Sequence, residues 1–340
     1  MMSDQIKKLA PVIWSEIQRA QRILLCFHPR PDADSVSSNL AMFSFLNKLG
    51  KSATVISGDN GAPPEFKFLS EWGKVENKHI GEVDFKNFDL FLSLDAGGIE
   101  RVSSKNNFNL PLPINTTVID HHYDNPGFGN INLVDSEAHS TCEILWDLFE
   151  TWKKSLIDKD IATCIYVGMW GDTMGFVSAT KQTFNILAKC IEFGVDTQSI
   201  NDKLTNMPHN HLSMLGKILA KSIMFFDKKL VLSKVSFNEF KELDIPPKEI
   251  GQCKENSLYQ LRRCKEAPLS ILIYEYEPGW ISISMRSDIP DKFDVSLIAK
   301  SIGGGGHPFA SSAKFGGTID QAEKLFLKTI QRVYPELGQP

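Results

Sequence analysis

Histidine and aspartate close four apolar segments of this sequence. Val118-Ile119 runs into Asp120-His121-His122, and Ile23 to Phe27 runs into His28-Pro29-Arg30-Pro31-Asp32-Ala33-Asp34. Leu90 to Leu94 runs into Asp95-Ala96-Gly97-Gly98, and Ile161 to Trp170 runs into Gly171-Asp172. A lone aspartate at such a place is usually a turn former or a helix cap, and a lone histidine is usually a surface or satisfied core residue. Six candidates together, His28, Asp32, Asp34, Asp95, His121 and Asp172, call for another reading. Burying this many carboxylates in one cleft without cations is prohibitively costly. The set exceeds what one catalytic ion needs, since such an ion keeps a position open for water. It suits two ions sharing a carboxylate, about 3.5–4 Å apart, which activate a water and clamp both sides of a phosphoryl displacement. Imidazoles and carboxylates without sulfur fit Mn²⁺, with Mg²⁺, Co²⁺, Fe²⁺ or Zn²⁺ also compatible.

A second constellation lies late in the chain, in Ser284-Met285-Arg286-Ser287 and Gly303-Gly304-Gly305-Gly306-His307. Consecutive glycines let backbone N–H groups approach an anion closely. Arg286 offers a planar fork suited to phosphate, and His307 a further donor or a surface for a base. Glycines alone often make only a flexible loop. With the arginine and histidine, the pattern points to phosphate or nucleotide recognition.

The elements that must position these residues follow from periodicity. Short β-branched or apolar runs at 23–27, 53–57, 90–94 and 116–119 read as buried strands, with amphipathic helices at 4–20 and 35–48. Strand–helix alternation predicts a mostly parallel, doubly wound α/β sheet, whose strand carboxyl ends gather ligands. Ser140-Thr141-Cys142-Glu143 fits a capping box before a helix at 142–152, and His139 reads as a loop residue. Helices at 182–193, 197–206 and 211–223 follow without strands, with Gly194 as a C-cap. Strands at 230–236, 269–276 and 280–286, a helix at 294–301 and one at 320–333 make a second α/β unit. Its sheet is at least partly antiparallel, because Glu277-Pro278-Gly279-Trp280 is a hairpin turn. The expected organisation is a first domain over 1–195, a helical connector over 196–225 and a smaller domain with a mixed sheet over 226–340.

At 340 residues the chain suits two domains. The composition, 42% hydrophobic and 23% charged, is that of a globular protein rather than a disordered one. A net charge of −4 argues against a surface that coats long nucleic acid, but not against a short nucleotide. The six cysteines show no Cys-x-x-Cys spacing and read as small buried residues in a reducing compartment. With no apolar run near 18 residues and no basic-then-apolar leader, the expectation is a soluble cytoplasmic protein without a membrane partner.

His28-x-x-x-Asp32-x-Asp34, Asp95, Asp120-His121-His122 and Asp172 resemble the four motifs of the DHH phosphoesterase superfamily. Ser284-Met-Arg286-Ser287 and Gly303-Gly-Gly-Gly-His307 resemble the accessory DHHA1 domain of one subfamily. The resemblance is strongest to the branch of oligoribonucleases that also act as 3′-phosphoadenosine 5′-phosphate phosphatases. It implies that His28, Asp32 and Asp95 hold one divalent cation, and Asp34, Asp95, His121 and Asp172 a second, with Asp95 bridging. It also implies that His122 is catalytic, facing the substrate phosphate, and that Asp120 orients the histidines. Arg286, Ser287, Gly304, Gly305, Gly306 and His307 would bind substrate. Two departures stand out: Ser311-Ser312 follow Ala310 where Ala-Gly is usual, and Ser37 replaces a glycine of the first motif.

The expected activity is hydrolysis of short single-stranded oligonucleotides or linear dinucleotides such as pApA, and of 3′-phosphoadenosine 5′-phosphate, with two divalent cations, Mn²⁺ first. The expected assembly is a homodimer. Rival readings are a cyclic dinucleotide phosphodiesterase, a polyphosphatase or pyrophosphatase, and a nucleotide-binding module without catalysis.

Overall fold

The structure, a computed structural model, describes residues 2–105 and 112–339. It divides into two compact units, Met1–Asn206 and Met207–Pro340. The helices at 197–205 and 209–220, grouped as a connector in the sequence reading, fall one in each unit.

The first unit is built on a five-stranded parallel sheet of order β2-β1-β3-β4-β5. Its strands are β1 (Arg22–Cys26), β2 (Ser52–Ile56), β3 (Leu90–Leu94), β4 (Thr116–Asp120) and β5 (Ile131–Val134). The helices are α1 (Asp4–Arg19), α2 (Ala33–Lys48), α3 (Thr141–Lys153), α4 (Lys159–Asp172), α5 (Lys181–Glu192) and α6 (Thr197–Thr205). Strand side chains alternate between two buried faces, as a parallel sheet requires. Ile23 and Leu25 of β1 enter the core shared with the α-helices, whereas Leu24 and Cys26 enter a smaller core on the other face. That second face is covered by short 3₁₀ turns and loops, through Ile80, Ala96, Val102 and Phe128.

Contact between α2 and α4 is unusually close, and glycine is the reason. A Cβ at Gly168 would lie 2.2 Å from Cys142 Sγ and 2.6 Å from Asp34 Oδ1, and one at Gly171 would lie 2.5 Å from Ala33 Cβ. The start of α2 and the end of α4, which carry Asp34 and Asp172, therefore meet backbone to side chain.

The second unit holds a six-stranded mixed sheet of order β10-β11-β9-β8-β7-β6. Its strands are β6 (Ile223–Phe225), β7 (Leu230–Val235), β8 (Leu269–Glu277), β9 (Trp280–Ser287), β10 (Gly305–His307) and β11 (Ala310–Gly316). Helices α7 (His209–Ala220), α8 (Phe237–Glu242) and α9 (Ile250–Leu261) cover one face, and α10 (Val295–Ser301) and α11 (Ile319–Val333) the other. The expected hairpin joins β8 to β9, with Gly279 at φ +78° in its turn. The six cysteines are free, five of them buried. Among the described residues, no helix is long and apolar enough to cross a membrane.

Candidate metal centre

The carboxyl ends of β1, β3 and β4, with the end of α4, bring the acids and histidines of the first unit together. Ligand atoms of His28, Asp32 and Asp95 lie within 4.8 Å of one another, as do those of Asp34, His121 and Asp172, and those of Asp95, Asp120, His121 and His122. Asp95 stands at the centre: His28 Nε2 is 3.6 Å from its Oδ2, while His121 Nε2 and His122 Nδ1 are 3.5 and 3.7 Å from its Oδ1. It follows directly on β3 with φ +56°, the left-handed region that an L-residue holds only at a cost. That backbone kink is what turns a strand-end side chain into the cluster.

Each neighbour has its own local support. Asp32 divides its carboxylate: Oδ1 caps α2 by accepting the Ser35 N–H at 3.0 Å, and Oδ2 lies 3.7 Å from His28 Nε2. The helix-cap reading and the ligand reading of Asp32 thus describe its two oxygens. His28 Nδ1 donates to the Pro29 carbonyl at 3.0 Å, which leaves Nε2 to face the acids. Asp120 is fully buried, accepting from His122 Nδ1 at 2.8 Å and from the Asn125 amide at 2.6 Å, so it sets the His122 ring and turns its Nε2 outward. Asn125 also donates to the Ala96 carbonyl, tying the loop after β4 to the one after β3.

Helix α3 contributes what the sequence did not announce. The N–H groups of Thr141 and Cys142 donate to Asp34 Oδ2 and Oδ1 at 2.6 and 3.1 Å, so the buried Asp34 carboxylate sits on the positive end of the helix. The Thr141 hydroxyl donates to Asp95 Oδ1 at 3.3 Å. The expected capping box forms only by half. Ser140 accepts from the Glu143 N–H, but the Glu143 side chain goes to the His139 N–H and the Thr183 hydroxyl.

The electrostatics are those of a cluster with carboxylate to spare. Burial opposes a charge on His28, yet Asp32 and Asp95 raise it to about 11; His121, likewise opposed by burial, is raised to about 9 by Asp95 and Asp34. Burial pushes Asp95 upward too, but His121 and His28 hold it well below the ordinary carboxylate range. Burial, then repulsion from Asp95, lifts Asp34 to about 7. Burial together with Asp34 and Asp95 lifts Asp172 far above its ordinary value. Asp172 Oδ2 is buried and accepts no hydrogen bond, although His121 Nε2 lies 3.2 Å away. Carboxyls pushed upward and an orphaned oxygen mark where a cation fits, and the donor set of imidazole and carboxylate suits a hard or borderline divalent ion.

In the second unit, Arg286 on β9 faces Ala310 of β11 in register. Its Nη1 donates to the Met285 carbonyl and its Nη2 to Glu255 of α9 at 2.7 Å. The glycines have packing reasons. A Cβ at Gly304 would lie 2.2 Å from the Ser312 carbonyl oxygen, and Gly306, at φ +137°, would meet the Ala310 carbonyl at 2.6 Å. Gly305 to His307 pair with Ser312 to Ala310 as strands, and the Ser311 hydroxyl donates to the His307 carbonyl at 2.8 Å. His307 stacks on exposed Phe309, their rings 5.7 Å apart, and the Ser287 N–H donates to the Phe309 carbonyl.

Comparison with known proteins agrees with this architecture. The bifunctional oligoribonuclease and PAP phosphatase NrnA of Thermus thermophilus is 25% identical over 93% of this chain and 91% of its own. The protein of the same description from Bacillus subtilis is 22% identical over 89% and 92%. A solved exopolyphosphatase-related protein from Bacteroides fragilis shares the fold over 98% of both chains, with a TM-score of 0.86 and 24% identity. These likenesses support a hydrolase of phosphoesters. Residues 22–169, most of the first unit, match the model of the DHH family, N-terminal domain.

Proposed function

We propose that the chain is a metal-dependent phosphohydrolase that cleaves short oligonucleotides or linear dinucleotides such as pApA, and 3′-phosphoadenosine 5′-phosphate. The observation that carries this reading is the convergence of His28, His121 and His122 on Asp95, beside Asp34 and Asp172, whose carboxyls burial and mutual repulsion push up. The names of the relatives, which extend over nine-tenths of the chain, support the substrate class. His28, Asp32 and Asp95 are the candidates to hold one divalent cation, and Asp34, Asp95, His121 and Asp172 a second. Each carboxylate oxygen has two lone pairs, so the hydrogen bonds to Asp34 and Asp95 leave room for a ligand role. Such a pair of ions, when bound, would supply charge neutralisation at phosphorus and a water acidic enough to attack near neutral pH.

The side chains do the rest. Asp120 holds Nδ1 of His122, so that His122 Nε2 is free to donate to a phosphate oxygen as negative charge shifts onto the leaving group. Arg286, with Ser287, Gly304, Gly305, Gly306 and His307, is the candidate to hold the nucleotide portion of the substrate.

A panel tests the proposal: pApA, short RNA, a cyclic dinucleotide, 3′-phosphoadenosine 5′-phosphate and polyphosphate, each with Mn²⁺ and with chelator. Mononucleotide or phosphate release from the linear nucleotides with Mn²⁺, and none with chelator, is expected. Faster turnover of the cyclic dinucleotide or of polyphosphate, or activity undiminished by chelator, overturns it.

A further inference from the structure

Thr141 opens α3 and is fully buried, and it reaches two acids of the cluster with two different groups. Its N–H donates to Asp34 Oδ2 at 2.6 Å and its hydroxyl to Asp95 Oδ1 at 3.3 Å. A threonine inside a helix commonly turns its hydroxyl back to a carbonyl three or four residues earlier. At the first helical position there is no preceding turn to accept it, so the hydroxyl is available for another partner. Asp95 needs one. Its left-handed backbone departs from the strand, and the three imidazoles stand off from it at 3.5 to 3.7 Å. Asp34 hangs from the same helix end through the Thr141 and Cys142 N–H groups.

We propose that Thr141 is a positioning residue that fixes Asp34 and Asp95 relative to one another, and through them the spacing of the two divalent cations. The proposal rests on the two-ion reading above. One residue sets two carboxylates with little entropy left to lose, Asp34 through an N–H fixed by the helix end and Asp95 through a β-branched hydroxyl with few rotamers. Threonine suits the position because it alone combines this stiffness with a hydroxyl donor.

The test is Mn²⁺ titration by calorimetry on the full chain, stripped with chelator, for the wild type, Thr141→Val and Thr141→Ser, with the melting temperature of each metal-free protein. Valine keeps the shape and the N–H but removes the hydroxyl; serine keeps the hydroxyl. The expected result is two ions per wild-type chain. Thr141→Val should bind at least one of them roughly tenfold more weakly, within the range for groups that orient metal ligands. Thr141→Ser should bind within about threefold of wild type, and kcat should follow the same order. Should the valine variant melt well below the wild type, Thr141→Ala, which only removes atoms, makes the same comparison with serine. Unchanged Mn²⁺ affinity without the hydroxyl, or equal loss in the serine variant, overturns the role of Thr141 while leaving the two-ion reading intact. Fewer than two ions per wild-type chain overturns that reading and Thr141's role with it.

Discussion

The acid cluster of the first unit and the arginine–glycine segment of the second carry charge in opposite ways. Around Asp95, burial and then crowding by other carboxylates push Asp34 and Asp172 above their ordinary values, and one buried oxygen of Asp172 is left without a hydrogen bond. Around Arg286 two cations share one carboxylate. Glu255 takes one arm of the guanidinium and pairs with Lys254 at 2.5 Å, and although burial opposes it, these two cations hold Glu255 below its ordinary value. The first arrangement lacks something of opposite sign; the second has a partner that an incoming phosphate can replace or share. Chemistry should therefore be fragile in the first region and affinity adjustable in the second.

The largest effect should come from Asp95→Asn. Asparagine tolerates the left-handed backbone that alanine would strain, so the variant should stay folded while losing at least about a thousandfold in turnover of pApA, as expected for a member of a unit. Retention of a tenth of the rate, with Mn²⁺ in excess, would break the central role of Asp95.

Acidity comes next. Asp34, His28 and His121 hold protons at values of about 7, 11 and 9, above their ordinary ones, and a cation must displace them. The sign follows: affinity rises with pH. Between about pH 6 and 8 it should rise by up to roughly tenfold per unit for each proton displaced, with the share of Asp34 fading above about pH 7. Calorimetry in buffers of different ionisation enthalpy counts those protons. An affinity flat over that range contradicts the crowded-carboxylate picture, and Arg286→Ala should leave the slope as it is.

Arg286→Ala removes a charge-assisted contact worth about 1.5–3 kcal/mol, or roughly ten- to hundredfold. The loss should fall on kcat/KM for pApA or short RNA and spare bis(p-nitrophenyl) phosphate, which presents no nucleotide. Equal damage to both substrates would place Arg286 in the chemical step and erase the contrast between the regions.

Ser311→Ala should do least. The bond it removes, to the His307 carbonyl, is worth about 0.5–1.5 kcal/mol, and His307 is exposed enough for water to replace it. KM for pApA should rise no more than about fivefold with kcat unchanged. A fall in kcat would show that the β10–β11 turn serves more than affinity.

Much of the first region was readable in the sequence because local chemistry declares it: apolar strands ending in acids and imidazoles, a proline-stiffened loop, a Ser140 cap. The support from α3 was not, since Thr141 and Asp34 are 107 residues apart and no periodicity links them. Gly168 and Gly171 were equally silent, because a glycine in a helix looks like a weak point until the neighbour that needs the space is known. In the second unit, α9 hides behind Lys254, Glu255 and Asn256, and buries only Ile250, Cys253, Ser257, Leu258 and Leu261. Strand β11 turns Ser311 and Ala313 inward, residues too small and too polar to advertise a buried face.

The glycine-lined seam between α2 and α4 also orders events as the chain emerges from the ribosome. Asp34 is made early, yet its place beside Asp172 exists only after Gly168 and Gly171 have been added and α4 has closed on α2. An earlier fragment carries His28, Asp32 and Asp95 but not Asp172, and contacts between segments so distant in sequence form late. A ribosome-bound chain that lacks α4 should therefore lack the full set for two divalent ions. The same packing that completes the finished centre leaves the nascent one incomplete.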